Sequence, residues 1–103
     1  MKEINSVEEF EAFIKENDNV VIDFWAQWCG PCRQLIPLLE KIQTETNKVA
    51  FAKVNIDDNE ELTERFRINS IPYLIRFENG KQTNVQAGMT SKSILEQFAG
   101  ISE

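Results

Sequence analysis

Residues 20–32 read Val20-Val21-Ile22-Asp23-Phe24-Trp25-Ala26-Gln27-Trp28-Cys29-Gly30-Pro31-Cys32. The part from Val20 to Ala26 is short, apolar and rich in β-branched and aromatic residues, which predicts a strand covered on both faces. From Gly30 to about Asn47 the apolar residues recur at helical spacing, and Pro31 suits the first turn of a helix. The sequence therefore predicts a buried strand that leads directly into a helix, with two cysteines at the junction.

The rest of the chain predicts further helices and strands on both sides of this unit. Helices are predicted over Ser6 to about Asn17, from Asp58 through Phe66, and over Ser91–Ala99. Strands are predicted over Val49–Ile56, Tyr73–Phe77 and Gln82–Ala87, with Lys2–Asn5 as an extra edge strand. The predicted order is βαβαβαββα.

Several of these predictions rest on capping and turn signals. Ser6 with Glu9, and Asp58 with Glu61, have the spacing of capping boxes at helix starts. Asn79-Gly80 predicts a type I′ hairpin, because that turn needs a positive φ at both central residues. Gly100 is expected to end the last helix, in which Ile94, Leu95 and Phe98 are expected to face inward.

The connections determine the fold class. The crossover from Val20 to Ile56 joins parallel strands, whereas the hairpin at Asn79-Gly80 joins antiparallel ones. We therefore expect an α/β fold with a central mixed sheet of four to five strands and helices on both faces, formed by residues 1–103 as one domain. Ligands of such sheets lie beyond the carboxyl ends of the strands, which is where Trp28 and Cys29 follow their strand.

Composition narrows the classes of function. The chain has 103 residues, 42% hydrophobic and 27% charged, with a formal net charge of −6. Such a charge argues against nucleic acid or an anionic membrane as a partner. The sequence shows no apolar segment of signal-peptide type, so we expect a soluble, cytoplasmic protein. Thiols stay reduced in that compartment, so its two cysteines point to chemistry or metal binding rather than to a structural disulfide.

Cys29-Gly30-Pro31-Cys32 is the main candidate for chemistry. Residues three apart on a helix have Cβ atoms about 5–6 Å apart, and a disulfide needs about 3.5–4.5 Å, so a small adjustment opens or closes the bond. The helix N-terminus stabilises a thiolate, the attacking species. We assign Cys29, at the N-terminus of the helix, as the nucleophile and Cys32, one turn into the helix, as the resolving thiol.

Three other interpretations of the cysteine pair remain. A zinc site needs two more soft ligands, and the chain has no His and no other Cys. A permanent structural disulfide would close a loop too small to stabilise the fold much. The third interpretation is a coincidental pair of buried thiols.

Asp23 is the second candidate, because it is a carboxyl within an otherwise apolar strand. Burial raises the pKa of a carboxyl, and a carboxyl that titrates near neutrality can carry protons. The alternative is a structural Asp paired with Lys53 in the neighbouring strand. The two interpretations are compatible, since a partly buried Lys53 also needs a partner.

Ile71-Pro72 opens a predicted strand, a position that Pro tolerates. It forms either a simple turn or a cis peptide that leaves the backbone of Ile71 free to pair with an extended substrate segment.

These residues together resemble the thioredoxin family. The resemblance is nearly residue for residue over positions 21–32, and it extends to further positions along practically the whole chain: Pro37, residues 53–57, Ile71-Pro72, residues 77–80 and Gly88. It implies the thioredoxin fold and disulfide reduction by Cys29 and Cys32 around Gly30-Pro31, with Asp23 handling protons and Lys53 nearby.

The resemblance also implies a binding groove and partners. Pro72 is expected to be cis, and the groove is expected to be framed by Trp28, Ile56, Ile71, Pro72 and Gly88. The partners implied are disulfide-containing target proteins and a thioredoxin reductase that restores the dithiol. No bound cofactor or metal is needed, and we expect a monomer.

The chain departs from the family pattern at four positions. Ser70 replaces the usual Gly, Tyr73 the usual Thr, and Met89 a usually small residue. These three are expected to border the groove and to influence the choice of partner. Arg76 interrupts an apolar strand and is expected to extend its charged end to an edge.

The function predicted is therefore that of a protein-disulfide reductase, which keeps protein thiols reduced and donates electrons to target enzymes. Two rivals are an oxidase or isomerase on the same fold and a redox-inactive binding module. Gly30-Pro31 argues against the first, since oxidising relatives usually carry His there. The presence of both cysteines argues against the second.

Overall fold

In the computed structural model, which describes residues 1–101, five strands form one sheet with four helices packed against it. The strands are β1 (Lys2–Ile4), β2 (Asn19–Trp25), β3 (Ala50–Asn55), β4 (Tyr73–Glu78) and β5 (Lys81–Ala87). The helices are α1 (Val7–Glu16), α2 (Gly30–Glu45), α3 (Glu60–Arg65) and α4 (Lys92–Ala99). The predicted order of elements is confirmed, including the edge strand β1. No helix of the part described is long and apolar enough to cross a bilayer.

The strands lie in the order β1-β3-β2-β4-β5, so β2 is central. β3 pairs in parallel with both β1 and β2, whereas β4 pairs antiparallel with β2 and β5. The sheet is therefore mixed, as expected, and the carboxyl ends of β2 and β3 meet at one edge.

Alternating residues of β2 contribute to two separate hydrophobic cores. Val20, Ile22 and Phe24 pack with Phe10 of α1 and Leu62 of α3 on one face. Val21 packs with buried residues of α2 and α4 on the other face. Because side chains alternate along a strand, Asp23 and Trp25 share the face of Val21, on the side of α2.

The caps of α1 and α4 form as predicted. The Ser6 hydroxyl accepts a hydrogen bond from Glu9 N at 3.1 Å, and Glu9 Oε1 accepts one from Asn5 N at 2.8 Å. Ser91 is the N-cap of α4, and Gly100 ends it at a φ of 78°. Asn79 and Gly80 have φ values of 54° and 82°, which confirms the hairpin turn.

The capping box predicted at Asp58 and Glu61 is wrong. Asp58 lies in a turn that follows β3, where its N–H donates to Asn55 O at 3.1 Å. The N-cap of α3 is Asn59, whose side chain makes no capping bond. Its Nδ2 donates instead to Asn55 O at 2.9 Å and to Ile4 O at 3.3 Å. Asn59 therefore ties α3 to the ends of β1 and β3.

Ile94 was expected to face inward, but its side chain is 40% exposed. The buried face of α4 is formed by Leu95, Phe98 and Ala99, whose spacing is that of one helical stripe. Ile94 lies at the edge of this stripe.

Arg76 extends from β4 to the end of α4. Its Nη1 donates to Phe98 O at 3.5 Å, and its Nη2 lies 3.7 Å from Glu78 Oε1. A Cβ at position 100 would come within 2.5 Å of Nη2. Gly100 is therefore favoured by its positive φ, and a larger residue would also displace the guanidinium of Arg76.

Candidate active site

The two cysteines lie where β2 passes into α2. Cys29 is the N-cap of α2, and its sulfur accepts a hydrogen bond from Cys32 N at 3.2 Å. Pro31 occupies the first turn, where its missing N–H costs no intrahelical bond. The sulfur of Cys29 therefore occupies the position that a serine or aspartate oxygen takes at other helix starts.

Cys29 and Cys32 are joined by a disulfide, with Cα atoms 5.3 Å apart. Cys29 is 6% exposed and Cys32 is fully buried. Both pack against Ala26, with Trp25, Ile56 and Ile71 around them. The bond therefore lies at the surface on the side of Cys29 and in the core on the side of Cys32.

Asp23 is fully buried beneath this junction. Burial raises the pKa of its carboxyl from the usual 3.8 to about 7, although the positive charge of Lys53 acts in the opposite direction. Neither carboxyl oxygen has a hydrogen-bond partner within residues 1–101. Asp23 is therefore an acid that titrates close to neutral pH.

Lys53 lies beside Asp23 in the sheet register, but the two do not form the direct pair that was the alternative interpretation of Asp23. Within residues 1–101 no carboxylate oxygen lies within 4.0 Å of Lys53 Nζ. The ammonium instead lies over the ring of Trp25, 4.7 Å from its centroid. The influence of Lys53 on Asp23 is therefore exerted through space.

A groove of about 380 Å³ opens beside the disulfide. Its lining residues are Trp28, Ile56, Ile68, Asn69, Ser70 and Ile71. Three of the five residues predicted to frame the groove therefore line it. The other two lie next to it, since the Ile71–Pro72 peptide bond is cis and Gly88 N donates to Pro72 O at 2.9 Å.

The departures from the family pattern have different positions in the structure. Ser70 lines the groove, and Met89 is exposed next to Gly88. Tyr73, which was expected to border the groove, instead packs against the core of the α1 face. It does so because it shares the sheet face of Ile75 and Phe77.

Asp57, to which no role was assigned from sequence, contacts Trp28. Trp28 is 66% exposed, and its Nε1 donates to Asp57 Oδ2 at 2.9 Å. The contact between Trp28 and Asp57 could have been predicted, because residues that follow neighbouring parallel strands lie close together. Ile56 N, for example, donates to Trp25 O at 2.9 Å. Asp57 thus fixes the ring that forms one wall of the groove.

Within residues 1–101 no group of three or more His, Cys, Asp or Glu side chains is arranged to hold a metal ion. The chemistry that the geometry permits is reversible opening of the disulfide, with an acid–base group buried next to it.

A sequence model of the family described as Thioredoxin matches residues 2–100. The chain belongs to the thioredoxin family. Among curated relatives, the thioredoxin of Chlamydia caviae is 42% identical over 95 residues, which cover 92% of each chain. The thioredoxin of Alicyclobacillus acidocaldarius is 43% identical over 88 residues, 84% of each chain.

Solved structures of the thioredoxin family agree with this fold. A thioredoxin of Plasmodium falciparum superposes with a TM-score of 0.91 at 34% identity, covering 97% of each chain. A thioredoxin of Fasciola hepatica superposes with a TM-score of 0.90 at 32% identity, covering 99% of this chain and all of the other.

Membership of the thioredoxin family, together with the disulfide at residues 29–32, establishes the activity. The protein is a thiol–disulfide oxidoreductase that reduces protein disulfides by thiol–disulfide exchange. It cycles between the disulfide form and a dithiol form, and it acts on disulfide-containing targets.

Proposed function

We propose that Cys29 attacks the target disulfide and that Cys32 resolves the intermediate. The observation that carries this assignment is the hydrogen bond from Cys32 N to the sulfur of Cys29 at the N-terminus of α2. An N–H donor and the positive end of a helix both favour a thiolate over a thiol. The exposed fraction of Cys29, 6% against none for Cys32, supports the same division.

The proposed reaction transfers two electrons in two exchanges. The Cys29 thiolate bonds to one sulfur of the target, and the other target sulfur leaves as a thiolate and takes up a proton. Cys32 then gives its proton to Asp23 and attacks the Cys29 sulfur of the mixed disulfide. The second target sulfur leaves as a thiolate and takes up a proton, the Cys29–Cys32 disulfide is formed, and Asp23 returns its proton to solvent.

Asp23 is proposed as the proton acceptor for Cys32. A general base works best when its pKa lies near the working pH, and burial raises the pKa of Asp23 to about 7. The chain contains no His that could serve instead. Lys53 supports the ionised form of Asp23 by its positive charge.

Asp23→Asn is expected to slow the second exchange by about 100-fold at neutral pH, the lower end of what a positioned general base contributes. The parent rate should rise as pH passes through about 7, where Asp23 loses its proton, and the variant should lack this rise. Single-turnover reduction of a disulfide substrate between about pH 6 and 8 measures both effects.

The matched control is Asp58→Asn, which changes an exposed carboxyl in the turn after β3. It should follow the parent profile. Rates and pH profile left unchanged by Asp23→Asn would reduce Asp23 to a structural residue.

The groove is proposed to hold an extended segment of the target. Trp28, Ile56 and Ile71 supply its apolar surface, and the backbone of Ile71 beside Pro72 and Gly88 supplies pairing groups. Gly30 and Pro31 keep the turn between the cysteines small enough for a partner to approach the sulfur of Cys29.

We also propose a reductant, a compartment and an oligomeric state for the protein. A protein that donates electrons must be recharged, and a thioredoxin reductase is the donor proposed. A reducing compartment is needed for the dithiol form to persist, and we propose the cytoplasm. All the proposed catalytic residues lie in one chain, so we propose that the protein acts as a monomer.

A further inference from the structure

The position of Lys53 is determined by three side chains on one face of the sheet. Asp23 and Lys53 are directly paired residues of the parallel strands β2 and β3. Trp25 lies two residues beyond Asp23 on β2 and therefore projects to the same side. The ammonium of Lys53 thus has two available partners, the carboxyl beside it and the indole diagonally ahead of it.

The structure shows which partner is contacted. Lys53 Nζ lies 4.7 Å from the centroid of the Trp25 ring, within the distance of a cation–π interaction. In the described part of the chain it lies within 4.0 Å of no carboxylate oxygen, and the oxygens of Asp23 accept no hydrogen bond.

We propose that Trp25 is a positioning residue, whose indole face keeps the ammonium of Lys53 close to Asp23 without a direct ion pair. A direct pair would fix the carboxyl in its ionised form, whereas loss of the ammonium to solvent would remove the positive charge from the site. The indole provides an intermediate arrangement, in which the carboxyl is stabilised through space and remains able to exchange a proton. This role rests on the proposed function of Asp23.

Within residues 1–101, Lys53 is the charged group that acts on the Asp23 carboxyl. On β3 the paired residue is Lys53, and on β4 it is the apolar Leu74. The face is covered by α2 and α4, whose buried residues are apolar apart from Cys32. In the disulfide form the cysteines do not titrate, so Lys53 is the charged group within residues 1–101 that acts on Asp23.

The test is the titration of the Asp23 carboxyl, followed by ¹³C NMR in the disulfide form of the parent and of four variants. Lys53→Met should raise the midpoint by about one pH unit, because a nearby positive charge favours the ionised carboxyl. Trp25→Leu should raise the midpoint of the Asp23 titration by most of the amount seen with Lys53→Met, since the ammonium of Lys53 then moves to solvent. Trp25→Phe, which keeps an aromatic face, should restore the parent midpoint in large part.

Trp25→Leu combined with Lys53→Met should raise the midpoint no further than Lys53→Met alone, because both changes remove the same charge. A midpoint that Trp25→Leu leaves unchanged or lowers would overturn the proposal. Additive shifts in the double variant would also overturn it, since Trp25 would then act independently of Lys53.

A second measurement needs no substitution and covers the case in which Trp25→Leu fails to fold. Protons above an indole face resonate upfield, so the ε-methylene protons of Lys53 should be shifted upfield in the unaltered protein. Ordinary lysine shifts would contradict the contact. Neither NMR measurement depends on turnover, so a failure of Asp23 as the catalytic base would be seen separately, in the kinetics of Asp23→Asn.

Discussion

Cys32→Ser is expected to turn the protein into a covalent trap for its targets. Cys29 keeps its place at the N-terminus of α2 and can still attack, so the mixed disulfide should form. A serine hydroxyl is a poor nucleophile at neutral pH without an activating base, so the second exchange should stop. Without added thiol, turnover should fall to the background rate, and adducts that dithiothreitol dissolves should accumulate in a lysate.

Cys29→Ser is the matched control, because it also leaves one cysteine. It should form far fewer adducts, since Cys32 is fully buried. Sequencing of the proteins captured by Cys32→Ser would identify the targets. Equal capture by both variants would contradict the division into attacking and resolving thiols.

Asp23→Ala is expected to change the pH dependence of stability. Burial raises the pKa of Asp23 from the usual 3.8 to about 7, so between these values the folded chain keeps a proton that the unfolded chain has lost. The free energy of unfolding therefore falls as pH rises through this window and levels off above it. A pKa of 3.8 in the unfolded chain and of about 7 in the folded chain corresponds to a fall of about 4 kcal/mol in the free energy of unfolding across this window.

The variant lacks this group, so its free energy of unfolding relative to the parent should improve by about 4 kcal/mol from about pH 3.5 to about pH 8. Urea titrations of the disulfide forms at several pH values measure the difference. Asp58→Ala, at an exposed position, should show no comparable trend. A difference between Asp23→Ala and the parent that is independent of pH would mean that Asp23 is ionised in the folded protein.

The features that sequence predicted well are those with a local physical cause. The buried strand before Cys29 was predicted because its apolar run has a length that suits a strand and not a helix. The turn at Asn79-Gly80 and the end of α4 at Gly100 were predicted because few residues adopt a positive φ. A bond between Cys29 and Cys32 was predicted because two cysteines three residues apart at a helix start lie close to disulfide distance.

The features that sequence missed depend on contacts between distant segments. The N-cap of α3 is Asn59 and not Asp58, and the Asn59 amide donates to backbone carbonyls at the ends of β1 and β3. A pair between Lys53 and Asp23 was the alternative interpretation drawn from their charges and neighbouring strands, but the ammonium contacts the indole of Trp25 instead. The bond between Trp28 and Asp57 joins residues 29 positions apart, and only the register of β2 and β3 brings them together.

Reduction of insulin by dithiothreitol, followed as turbidity from the released chains, tests the central claim most directly. Catalytic amounts of the protein should shorten the time to precipitation well below that of dithiothreitol alone, and Cys29→Ser should remove the effect. A time course identical to that of dithiothreitol alone, with a folded protein whose Cys29–Cys32 disulfide opens and closes, would contradict disulfide reductase activity.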